Sequence, residues 1–300
     1  MSHCPVTGFD CITCENGCRL ETGEARKADR PSAPVRRPAG APGGKAADAA
    51  REAKQRLAPE PVWSFRPDGS VRDLAAPDPV EIDFFAMANA LSKIARFNGS
   101  NPGVAYSVAQ HSVMGAEAVF NETGDDRLAA LFLLHDGEEH LLGDKPTPSQ
   151  RLLVAAISST LQIGERTSQF YIELQDPNEA AVAGVLAETC WHLIKQKWRE
   201  AGWLAAGLGL PSVAQQGLID DYDRRMCNAE MLALFGPAAR AQAIPVSHVA
   251  PLKLKGGIKP WAAMKAEERF IACAKRFIGD DLLQDQRSCH AAHVALTGKD

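Results

Sequence analysis

No stretch of the 300-residue chain approaches the roughly 18 consecutive apolar residues that a membrane-spanning helix needs. No signal-peptide pattern opens it either, so a cytoplasmic protein without a membrane partner is the expectation. Neither a Walker loop nor a Rossmann fingerprint appears, so no glycine-rich phosphate cradle is expected. The net charge of −4 is small and gives no global reason to expect nucleic acid as a partner. Strand-like alternation is almost missing as well, which points to an all-α core. What remains is an ordinary globular composition, 45% hydrophobic, able to bury a sizeable core.

The eight cysteines fall into two groups. Cys4, Cys11, Cys14 and Cys18 are spaced C-x6-C-x2-C-x3-C within the first twenty residues. The C-x2-C pair suits a thiolate zinc site, but the second pair is not a clean knuckle. The head, residues 1–20, therefore reads either as a small structural zinc site or as a redox-sensitive tail. The later Cys190, Cys227, Cys273 and Cys289 are most simply free thiols in a reducing compartment. Residues 21–61 are rich in Ala, Pro, Gly, Arg and Lys and read as a flexible linker, with a short polar helix over Ala46–Leu57.

The folded part is expected over residues 62–280. Two short extended pieces around Asp68-Gly69 signal a small N-terminal β-hairpin. Ile82, Phe85, Ala88, Leu91 and Ile94 then recur at helical spacing, in a helix that should stop at Asn98-Gly99. Ser107 can cap a second helix, and Asp125 or Asp126 a third that runs from Arg127 to Leu134. Further helices are expected at 149–163, 179–208, 212–235 and 261–278, with Trp191, Trp198 and Trp203 filling the core from one face. The segment 162–178 has no clear assignment and reads as an insertion. The polar tail 281–300, including the His- and Cys-bearing stretch Cys289–His293, is expected to be disordered.

The third helix feeds into LLHDGEEHLLGDKPTP, Leu133–Pro148, which packs two histidines and four carboxylates into one short segment. Such side chains are rarely buried unless they are paired or hold a metal. His111 on the second helix, His135 and Asp136 here, and Asp221 or Asp223 in LIDDYDRRMCNAEM would together suit a divalent ion such as Mn, Co, Ni, Zn or Mg. Singly, each has a plainer reading: a lone helical histidine is commonly a core residue, and an aspartate before two arginines a surface ion pair. On an uninterrupted helix Glu139 would share a face with His135, and Glu138 would point to solvent.

The order His, His-Asp, Asp on successive helices resembles the HD-domain metal-dependent phosphohydrolases. ALSKIARFNG, YSVAQHSV, LAALFLLHDGEEHLLGDKPTP and YDRRMCNAEM are similar to the subgroup of 5'-deoxynucleotidases and phage-type deoxynucleoside triphosphohydrolases. The resemblance covers roughly residues 63–279. It implies an all-α HD-domain helical bundle, with His111, His135, Asp136 and Asp223 as metal ligands and Glu230 as the acidic residue that follows. It further implies that Arg96 contacts substrate phosphate, while Glu139 and Asp144 handle protons. Phe97 and His140 would form a pocket wall, although His140 stands where the subgroup usually has an aromatic residue and could be an extra ligand. Lys145 lies near this site and could touch a phosphate, but reads more simply as solvated. The chain from Pro148 to Asp223 is longer than compact members need, which leaves room for a lid or an extra helix pair.

The expected activity is hydrolysis of a (deoxy)nucleotide, either dNTP or dNMP, to the deoxynucleoside, and the resemblance implies a homo-oligomer. A catalytically silent nucleotide-binding or regulatory module, with the Cys-rich head recruiting a partner, is the other reading.

Overall fold

Two side-chain caps set the centre of the molecule. The computed structural model describes residues 56–163, 177–240 and 248–297. Ser107 accepts the Gln110 N–H and starts helix α2, Val108–Thr123; Asp125 accepts the Leu128 N–H and starts α3, Asp126–Leu133. Gly124 joins them with a φ of 69°, a conformation that suits glycine at a helix end. Leu128 through Leu133 are all buried, so α3 is apolar around its whole circumference and runs through the core. The two helices pack so closely that a Cβ on Gly115 would lie 2.0 Å from Phe132 Cε1.

Helix α1, Phe84–Lys93, starts at Asp83, whose carboxylate accepts the N–H groups of Phe85 and Ala86. A later helix, Ala263–Phe277 (α9 in chain order), lies across α1, α2 and α3. Its buried Ala266, Phe270, Cys273, Ala274 and Phe277 form one stripe at helical spacing. Full burial of a side chain such as Phe270 contributes about 2 kcal/mol.

Between these lie α4 (Glu139–Leu142), α5 (Thr147–Ile163), α6 (Pro177–Ala205), α7 (Val213–Phe235) and α8 (Pro237–Arg240). Strands β1 (Trp63–Phe65) and β2 (Val71–Asp73) pair antiparallel, Trp63 opposite Asp73, around a turn where Gly69 takes a φ of 82°. The described part is thus all-α with a small hairpin. No helix in it is long and apolar enough to cross a membrane.

Two expectations need correction. Helix α1 stops at Lys93 rather than at Asn98-Gly99, because the next residues pair with another segment. Ala95 bridges Ser107, Arg96 N–H donates to Tyr106 O at 2.8 Å, and Val108 N–H donates to Ile94 O at 3.0 Å. Arg96–Gly99 then forms a 3-10 turn in which Phe97 (φ 56°) and Asn98 (φ 53°) are both left-handed. The polar tail, in turn, is helical: α10 spans Asp280–Thr297. Leu283 is buried there, and Gln286 accepts from Phe84 N–H and donates to Ile82 O, serving backbone groups at the start of α1.

Trp198 and Trp203 are core residues as expected, but Trp191 is only half-buried, with the Lys145 ammonium 4.9 Å from its ring centroid. Cys190, Cys227 and Cys273 are free thiols. The head with Cys4, Cys11, Cys14 and Cys18, the linker and its short helix as far as residue 55, and segment 164–176 lie outside the described residues.

Candidate metal centre

At the end of α3 the chain tightens. His135 N–H donates to Phe132 O, Gly137 N–H to Leu134 O and Glu139 N–H to Asp136 O, all three-residue turns. The α-helix is therefore broken before His135, which turns His135 and Asp136 inward at the buried tip of α3. Gly137 sits in this bend, where a Cβ would come within 3.0 Å of Leu134 O and 3.2 Å of Met87 Cε. His111 faces the bend from the first turns of α2, and Asp223 comes from the middle of α7.

These four residues present one ligand atom each, all within 4.8 Å of one another. His111 Nε2 lies 3.3 Å from His135 Nε2, 3.3 Å from Asp223 Oδ1 and 3.6 Å from Asp136 Oδ2. His135 Nε2 lies 3.3 Å from Asp136 Oδ2 and 3.6 Å from Asp223 Oδ1. The second nitrogen of each ring is already committed. His111 Nδ1 is 2.6 Å from Glu230 Oε1, and His135 Nδ1 is 2.6 Å from the Phe132 carbonyl. Both partners are acceptors, so the ring protons belong on Nδ1 and both Nε2 lone pairs face the centre.

Two lone pairs and two carboxylate oxygens converging on one point repel unless a cation stands between them. Asp223 Oδ1 is shut off from solvent and makes no hydrogen bond of its own. Nitrogen and oxygen donors in this ratio, with both imidazoles fixed by acceptors behind them, could hold a metal ion. The electrostatics of the side chains by themselves carry the same message. Burial works against a charged His135, yet the adjacent Asp136 and Asp223 raise its pKa to about 10, so the carboxylates favour positive charge at the centre. Burial opposes ionisation of Asp136 too, but the imidazoles and Lys195 hold its carboxyl well below the usual range.

Behind the quartet, Glu230 is fully buried and binds both His111 and Arg96. Arg96 Nε is 3.2 Å from Glu230 Oε2, and its Nη1 is 3.2 Å from Asp136 Oδ2. The left-handed turn at Phe97 thus delivers Arg96 to the quartet while turning the Phe97 ring outward, edge-on to Phe235 at 5.4 Å. Beside the quartet opens a cavity of about 920 Å³, lined by Arg96, Phe97, Asp136, Glu139, Asp144 and Asp223 among others. Burial raises the pKa of Asp144, and Arg96 offsets part of that rise. Burial and the Asp136 charge together lift Glu139 to about 9.

The structure brings together His111, His135, Asp136, Asp223, Arg96, Glu139, Asp144 and Phe97. Asp221 stays outside, in surface contacts with Arg224 and Arg225. Lys145 is not simply solvated; it lines the cavity and stacks on Trp191. Glu138 is not solvent-facing, since the break after Leu133 rotates it inward to 1% exposure. Arg199 meets it with Nη2 at 2.8 Å and Nε at 3.4 Å. His140 does not line the cavity: its Nδ1 bonds Gly137 O at 2.5 Å and its Nε2 is buried without a partner.

Lys195 and Arg199 on α6 escaped the sequence reading. Their signal was there: two cations four residues apart, flanking Trp198 on a helix face that is otherwise buried.

No protein-family model matches the chain. An uncharacterized protein of Rhodobacter capsulatus is 37% identical over 124 residues, which is 40% of this chain and 56% of that protein. The chain thus spans little more than half the length of this curated relative, whose name brings no activity with it.

Proposed function

We propose that the protein is a metal-dependent phosphohydrolase of the HD-domain type, acting on (deoxy)nucleotides. The observation that carries this reading is the convergence of two imidazole lone pairs and two carboxylates beside Arg96, at the floor of a cavity open to a ligand. The resemblance of the RFNG, AQHS, HDGEEHLLGD and YDRRM blocks to deoxynucleotide hydrolases supports it. A divalent ion held by His111, His135, Asp136 and Asp223 would supply Lewis acidity toward a phosphoryl oxygen and lower the pKa of water.

The chain's own residues do the rest. Arg96 presents a planar, permanently charged fork, held in place by Asp136 and Glu230, which binds a phosphoryl oxygen and offsets charge as the bond breaks. Glu139 and Asp144 line the same cavity and are the groups placed to take a proton from the attacking water and return one to the leaving oxygen. Phe97 and Phe235, with Met231 and Val249, give the cavity an apolar side suited to a sugar and base.

The deciding experiment incubates the purified chain with a nucleotide panel and Mn or Co, then identifies the phosphate species released. Orthophosphate marks a monophosphatase and tripolyphosphate a triphosphohydrolase. Asp136→Ala is expected to lose both bound metal and turnover; full activity in that variant, or no hydrolysis with any of Mn, Co, Ni, Zn and Mg, overturns the proposal.

A further inference from the structure

We infer that Lys195, supplied by α6, is a second phosphate ligand of the cavity, facing the reacting group together with Arg96. The inference rests on the reading above that the cavity receives a phosphate. Lys195 and Arg199 both penetrate the acidic bend after α3, yet they are used differently. Arg199 makes a two-pronged contact with Glu138 and does not line the cavity. Lys195 does line it, with Arg96, Asp136, Glu139 and Asp144.

Lys195 also has unused donor capacity. An ammonium carries three N–H donors. Here Nζ makes one hydrogen bond, to Glu139 Oε1 at 3.0 Å, and a looser contact with Glu138 Oε1 at 3.4 Å. The other oxygen of that partner, Glu139 Oε2, is buried and has no hydrogen bond. Lys195 therefore lines the cavity with donor capacity beyond its contacts to Glu139 and Glu138. A phosphoryl oxygen would take up that remaining capacity.

The position also gives Lys195 its selectivity. Arg96, Lys195 and Asp144, the carboxylate that the proposed reaction uses, line the same cavity. A dianionic phosphate would draw on both cations, whereas a neutral ester of the same shape gains nothing from the second. Losing one charge-assisted hydrogen bond of this kind should weaken phosphate binding about ten- to a hundredfold.

The test uses the full chain loaded with Mn and titrates inorganic phosphate, read as a shift in thermal midpoint, with metal content measured on the same samples. Lys195→Met should retain metal but need at least about tenfold more phosphate for the same shift, and Lys195→Arg should recover most of the loss. Equal phosphate response in wild type and Lys195→Met, or no response in wild type, overturns the inference. Should Lys195→Met fail to fold because Glu139 is left unpaired, Lys195→Met/Glu139→Gln compared with Glu139→Gln alone gives the same reading. Hydrolysis is scored separately. A wild type that binds phosphate through Lys195 but cleaves no nucleotide would refute the proposed function and leave this inference standing. An active wild type whose Lys195→Met binds phosphate normally does the reverse.

Discussion

Replacing His140 by phenylalanine should reverse its effect on stability as the pH falls. In the native protein the imidazole donates from Nδ1 to the Gly137 carbonyl, and Nε2 faces a site with no acceptor. The ring edge keeps some exposure, but Nε2 itself is sealed from solvent. Burial, with Arg72 nearby, holds the pKa down at about 4 against an ordinary 6.5. Between those values the unfolded chain binds the proton and the native one does not, so stability rises with pH across the window and is lost as pH drops from 6.5 toward 4.

At pH 4.5 this linkage removes roughly 2.5 kcal/mol from the wild type, because each tenfold difference in proton affinity between the two states is worth about 1.36 kcal/mol. Phenylalanine does not titrate, but it forfeits the hydrogen bond to Gly137, at about 1 kcal/mol. The variant should thus be about 1 kcal/mol less stable near pH 7.5, and more stable by roughly 1.5 kcal/mol at pH 4.5, with the curves crossing near pH 6. Urea unfolding of both proteins across that range, followed by far-UV circular dichroism, measures the difference, in which other titrating groups cancel. A gap that does not change with pH would show that His140 titrates normally and that its buried nitrogen has been misread.

Other perturbations test the site and the core. Glu230→Gln should weaken Mn binding about ten- to a hundredfold by calorimetry, because Glu230 orients His111 and restrains Arg96; unchanged affinity would mean that neither depends on it. Gly115→Ala should lower stability by about 3 kcal/mol, since its methyl would meet the Phe132 ring; a loss below about 1 kcal/mol would show that α2 and α3 separate easily.

Much of this was legible in the sequence, for identifiable reasons. The caps at Ser107 and Asp125 act within three residues of themselves, so their helices could be placed closely from the chain alone. The quartet was legible because the order of its residue types along the chain is distinctive, and the geometry chooses Asp223 over Asp221. The failures came where a distant segment decided the local outcome. α1 stops early because the strand-like piece at Tyr106–Val108 captures Ile94–Arg96, and no local signal announces that pairing. Glu138 looked solvent-facing on the assumption of a continuous helix; the bend at Leu134–Gly137 rotates it toward Arg199, which is 61 residues away in the chain. The tail looked too polar to fold, yet Leu282 and Leu283 against the core, Gln286 on the backbone of α1 and Arg287 over the Phe85 ring dock its helix.

The uneven anchoring of α6 has a mechanical consequence. Its second half is gripped at successive turns: Lys195 by Glu139, Trp198 through Nε1 to Leu74 O, Arg199 by Glu138, and Trp203 through Nε1 to Leu131 O. Its first half leaves Val182, Val185 and Leu186 more than half exposed. Resistance to local opening follows buried contacts, so the helix is stiff where it touches the quartet and soft toward its beginning. The cavity accordingly has one unyielding side, where charge must be placed to within fractions of an ångström. Its other side is built from α5 and the chain after Asp144, which lack such anchors on the exposed half of α6.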